Sequence, residues 1–120
     1  ISYIHSEAYA GGELKHGTIS LMEEGTMVVA VATQRDLFEK LVSNIKEVKA
    51  RGAYVVAVVQ EGEPSVESVA DEVIYLPQVE DKFSPSLSVI PLQILAYHTS
   101  LARGCDVDKP RNLAKSVTVE

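Results

Sequence analysis

At 120 residues the chain is long enough to bury one hydrophobic core and too short for two domains. It is 46% hydrophobic and 23% charged, the makeup of a globular protein. A formal net charge of -6 and a pI near 5.0 speak against a nucleic-acid or anionic-membrane surface, either of which calls for a basic face.

An acidic protein can still bind a sugar phosphate through local helix N-termini. The longest apolar runs, "MVVAVA" and "YVVAVV", are too short to span a bilayer. No charged leader with an apolar stretch opens the chain, and Cys105, the single cysteine, has no partner for an internal disulfide. Both features point to a reducing, cytoplasmic setting. The chain opens on Ile1 rather than methionine, which reads as a segment of something longer.

Residues 26–33 ("TMVVAVAT") and 53–60 ("AYVVAVVQ") are continuous valine-rich runs. β-Branching favours strand, and the lack of polar alternation predicts strands covered on both faces, as in a parallel sheet. Residues 71–77 ("DEVIYLP") predict a third, shorter strand stopped by Pro77.

Between the first two runs, Leu37, Leu41, Ile45 and Val48 recur at helical spacing, with Phe38 and Val42 widening the stripe. Thr33 and Asp36 read as a capping arrangement, and Gly52, after Lys49 and Arg51, reads as the stop. Strand, helix, strand makes a βαβ unit.

A second helix is expected in "SPSLSVIPLQILAYHTSLARG", with Ser84 as cap, Pro85 in the first turn and Gly104 as the end. Pro91 either kinks it or marks its true start. Ile94, Leu95, Tyr97, His98 and Leu101 give it a broad apolar face. The expected fold is α/β, a three-layer arrangement of a parallel sheet flanked by helices, with three strands in view. An open doubly wound sheet usually has about five or more, so these read as its last three.

Few residues carry chemistry by pattern. No G-x-G-x-x-G follows a strand and there is no Walker loop. One cysteine excludes a cysteine-based zinc site, and His5, His16 and His98 lack paired ligand spacing, so no metal is expected. His98 reads as a packed or hydrogen-bonded helix residue and Cys105 as an ordinary thiol. His16 stands before Gly17 in a turn-rich stretch ahead of the first strand, and Lys115 stands five residues before the end. By pattern alone the first is a surface or structural histidine and the second a solvated charge.

The opening "ISYIHSEAYAGGELKHG", the helix "VIPLQILAYHTSLARG" and the closing "GCDVDKPRNLAKSVTVE" resemble the C-terminal part of the glutamine–fructose-6-phosphate aminotransferases, the glucosamine-6-phosphate synthases. The resemblance runs end to end, and "PRNLAKSVTVE" is its most specific piece. It implies a sugar isomerase (SIS) fold related to flavodoxin-like sheets. Residues 1–104 would be the C-terminal part of a SIS domain and residues 105–120 a tail that closes over the site.

The resemblance also implies the reaction, fructose 6-phosphate and glutamine giving glucosamine 6-phosphate and glutamate. A separate glutaminase domain would supply the ammonia. Lys115 would form a Schiff base with the ketone of the open-chain sugar. His16 would assist ring opening, reaching across a homodimer interface. Asn112, Ala114 and Val117 would line the closing segment. No cofactor is implied. The family's proton-shuttling glutamate would fall just ahead of Ile1, and its phosphate-binding loops belong to a preceding SIS domain. The segment alone is therefore expected to be inactive.

The chemistry of the two residue types agrees. A free lysine amine has a pKa of about 10.4, so roughly one molecule in a few thousand is neutral, and thus nucleophilic, at neutral pH. Lowering that pKa by roughly three units disfavours the cation by about 4 kcal/mol, within the reach of desolvation in a closed pocket. The Glu120 carboxylate and the chain terminus act in the opposite sense. Histidine changes charge nearest neutral pH, which suits proton transfer to sugar hydroxyls. The alternative reading is a non-catalytic sugar-phosphate-binding SIS module, which has no use for a reactive terminal lysine. A flavodoxin-like signalling domain is disfavoured, because no acidic cluster follows the first strand.

Overall fold

The computed structural model describes residues 1–111. Three parallel strands form one sheet in the order β1 (Met27–Ala32), β2 (Tyr54–Gln60) and β3 (Glu72–Leu76). Helix α1 (Phe38–Lys49) connects β1 to β2, and helix α2 (Ser84–Ala102) follows β3. The register runs from Met27 opposite Tyr54 to Ala32 opposite Val59, and from Val56 opposite Glu72 to Gln60 opposite Leu76. The predicted α/β class, three strands and order of elements are those observed.

The chain divides into two compact units, Glu7–Val89 and, separately, Ile1–Ser6 together with the chain from Ile90 onward. The first holds the sheet and α1. Its core joins Phe38, Val42, Ile45 and Val48 of α1 to Val55, Ala57 and Val59 of β2. Those β2 residues alternate with Val56 and Val58, which are also buried, on the opposite face of the strand. Hence the unbroken apolar run. Burying one such side chain contributes about 1.5–3 kcal/mol.

Strand β1 departs from the expectation of cover on both faces, for Met27 and Val31 stay exposed.

Helix α1 starts later than its sequence stripe. A 3-10 turn, Arg35–Leu37, precedes it and leaves Leu37 48% exposed, so Phe38, not Leu37, opens the buried face. The expected Thr33/Asp36 cap does not form, as the helix start has no side-chain cap bond. Thr33 Oγ1 lies 3.1 Å from Ser84 Oγ instead. Ser84 Oγ donates to the Asp81 carbonyl at 2.8 Å, so the proton between the two hydroxyls comes from Thr33. Gly52, at φ 88°, ends α1 as predicted, with its N–H on the Lys49 carbonyl.

Helix α2 begins at Ser84 and runs through Pro91, so Pro91 is not its start. Gly104, at φ 68°, follows its end and donates to the Leu101 carbonyl. The predicted apolar face leaves Ile94, Tyr97 and Leu101 about half exposed. His98 is an exposed helix residue whose ring meets Tyr97 edge-on at 5.3 Å between ring centroids.

Candidate functional site

His16 closes the 3-10 turn Gly11–His16, which is braced against α1. Leu14 packs on the core, and Lys15 Nζ sits 2.6 Å from Glu47 Oε1 of the helix. Gly11 comes so close that an added Cβ would stand 2.7 Å from Leu41 Cδ1. After His16 the chain turns sharply at Gly17, φ 148°. The effect is to fix the backbone of a surface turn while leaving the imidazole exposed. An exposed, backbone-fixed imidazole can exchange a proton with a group brought to it from outside.

Lys115, Asn112, Ala114 and Val117, the other expected site residues, lie outside the described residues. Among the described residues, no group of three or more His, Cys, Asp or Glu side chains is placed to hold a metal ion. No helix among them is long and apolar enough to cross a membrane. Cys105 is a free, half-buried thiol.

The structure also has a cleft that the sequence did not reveal. It occupies about 170 Å³ at the carboxyl ends of the strands, where open parallel sheets place their ligands. Thr33, Arg35, Gln60, Glu61, Glu63 and Gln78 are among the residues that line it. Its amides are engaged: Gln60 Nε2 donates to the Thr33 carbonyl at 2.9 Å, and Gln60 Oε1 accepts the Val79 N–H at 2.9 Å. Gln78 Nε2 donates to the Glu61 carbonyl at 2.8 Å.

With the Thr33 hydroxyl directed to Ser84, the cleft pairs no nucleophile with a base. Its volume and polar lining suit a small polar molecule. The signal that could have found it was the polar Gln60 ending an otherwise apolar strand.

The sequence pattern of the SIS domain family matches residues 1–103. Glutamine–fructose-6-phosphate aminotransferases (isomerizing) of Caldanaerobacter subterraneus subsp. tengcongensis and Clostridium acetobutylicum are 65% and 66% identical to the chain over all 120 residues. The chain spans 20% of the length of each. A solved structure, the C-terminal domain of glucosamine-fructose-6-phosphate aminotransferase from Francisella tularensis, superposes with a TM-score of 0.79 at 39% identity. That likeness covers 89% of this chain and 30% of the other.

Proposed function

The chain belongs to the SIS domain family, and on that premise we propose that it is the segment of a glutamine–fructose-6-phosphate aminotransferase that brings Lys115 and His16 to the sugar. The observation that carries the reading is a 65% match running the whole 120 residues, through the tail that holds Lys115. In this reading residues 1–104 are the C-terminal part of a SIS domain and residues 105–120 its closing tail.

His16 takes the proton of the anomeric hydroxyl as the ring C–O bond breaks and passes it to the ring oxygen, leaving the open-chain ketone. The neutral amine of Lys115 then adds to the ketone carbon, and loss of water leaves a protonated imine. Ammonia from a glutaminase domain then displaces the lysine as its free amine, leaving the sugar imine. The glutamate expected ahead of Ile1 moves a proton from C1 to C2 to give glucosamine 6-phosphate. The exposure of His16 on a braced turn suits work in the neighbouring subunit's site of a homodimer. In this reading the setting is cytoplasmic.

The test is a full-length relative in which this chain replaces the matching segment. That chimera is expected to make glucosamine 6-phosphate from fructose 6-phosphate and ammonia, with the activity abolished by Lys115→Arg. A Lys115→Arg chimera as active as its parent overturns the proposal. The isolated chain is expected to make none.

The second reading is a sugar-phosphate-binding SIS module without catalysis, the family fold serving binding alone. A module of that kind binds equally well with Arg at position 115, and a chain carrying it gives no product in the chimera.

A further inference from the structure

The 3-10 turn that closes on His16 touches α1 at both of its ends, within one compact unit. At Gly11 the approach is close, for an added Cβ would stand 2.7 Å from Leu41 Cδ1 and 3.1 Å from Asn44 Nδ2. Gly12, beside it, has nothing within 4 Å, and neither glycine has a positive φ. Gly11 is therefore a glycine for space and not for backbone freedom. At the other end Lys15 Nζ donates to Glu47 Oε1 at 2.6 Å.

Leu41, Asn44 and Glu47 follow one another every three residues along one side of α1. From Leu41 to Glu47 the α-helix rises about 9 Å. From Gly11 to Lys15 the 3-10 turn rises about 8 Å. The spans match, so the turn lies along the helix in the same direction and makes its last contact at the residue before His16. After His16 the Gly17 carbonyl accepts the Ser20 N–H at 3.0 Å and the Ser20 hydroxyl at 2.7 Å. Ile19 and Met22 then pack on the core, as Leu14 does ahead of His16. Of these ties, Lys15–Glu47 is the nearest to the imidazole along the chain.

From these contacts we infer that Glu47 is a positioning residue for His16, acting through Lys15; the inference rests on the ring-opening role proposed for His16 above. The two side chains are 47% and 36% exposed, and an ion pair in water adds little to stability. What this one does is hold the backbone beside the imidazole. A displacement of about 1 Å at a reacting group can slow a reaction by about a hundredfold.

The test compares two sugars in the active chimera, with glutamine as donor. Fructose 6-phosphate closes its ring through the 5-hydroxyl, since the 6-oxygen carries the phosphate. 5-Deoxyfructose 6-phosphate lacks that hydroxyl and stays open. A fault confined to ring opening therefore lowers kcat/KM for the first sugar and spares the second. Glu47→Ala is expected to lower the ratio of the two values by about tenfold. The charge exchange Lys15→Glu/Glu47→Lys recovers most of that loss. Gly11→Ala lowers the ratio, where Gly12→Ala leaves it unchanged.

An unchanged ratio in Glu47→Ala, an equal fall for both sugars, or no recovery on charge exchange each overturn the inference; the role of His16 stands if His16→Ala still lowers the ratio. A His16→Ala chimera with the wild-type ratio overturns both.

Discussion

Lys49 Nζ lies 2.6 and 2.7 Å from the two carboxylate oxygens of Asp71, joining the end of α1 to the start of β3. Asp71 Oδ2 also accepts the Val55 N–H of β2 at 2.7 Å, so one carboxylate ties three elements of the sheet unit together. The Lys49 ammonium, and after it the Val55 N–H, hold the Asp71 carboxyl below the usual carboxylate range. In acid, therefore, the folded state keeps this group charged where the unfolded chain has begun to protonate it.

Its contribution is complete above the ordinary carboxylate pKa of about 3.9 and is lost as pH falls through the lower folded value. Urea unfolding of the chain from neutral pH into acid is expected to show a steeper loss of stability for wild type than for Asp71→Asn. Parallel curves contradict this.

Gly52 has a positive φ of 88° and a tight surround, since a Cβ would stand 3.2 Å from the Cα of Glu24, whose backbone would have to give. Gly25 shares the positive φ, at 86°, but has nothing within 4 Å. Gly25→Ala should therefore cost only the conformational term, about 1–2 kcal/mol, and Gly52→Ala more. Equal melting temperatures for the two variants count against this backbone contact.

Ile45 keeps 1% of its surface exposed and sits amid the valines of β2 and α1. Ile45→Val is expected to cost about 0.5–1.5 kcal/mol and Ile45→Ala about 2–5 kcal/mol. Leu37→Ala, on the exposed 3-10 turn, should stay within about 0.5 kcal/mol. Urea midpoints check the order, and a large loss at Leu37 would show that the helical stripe, not the observed turn, sets the core.

The Leu37 case shows where sequence reading reaches its limit. The strands were legible because uninterrupted valine runs have little else to become. The helix was legible too, but Leu37 and Phe38 are adjacent and both apolar, so spacing alone left its phase open. Thr33 looked like a cap because Asp36 follows it; its partner, Ser84, is 51 positions away.

Pro91 looked like a boundary because proline lacks an N–H, yet the helix continues through it. The Lys15–Glu47 pair and the strand-end cleft arise from distant residues that folding brings together. Of the site itself, His16 was visible only through resemblance, since a lone histidine beside a glycine carries no signal.

If His16 serves the neighbouring subunit, inactive variants should rescue each other. His16→Ala in the chimera is expected to lower kcat by about 10²–10⁴-fold, as for loss of a general acid or base. Mixing it with Lys115→Arg and exchanging subunits then makes hybrid dimers with one intact site each. Random mixing should restore about a quarter of wild-type activity. No recovery, with subunit exchange confirmed, places His16 in its own subunit's site.

The most direct measurement is mass spectrometry of the chimera after fructose 6-phosphate and borohydride, which reduces an imine to a stable amine. The account predicts a reduced sugar adduct on Lys115, absent when Lys115 is replaced by Arg. An adduct on another lysine, or none under conditions where the chimera turns over, would contradict it.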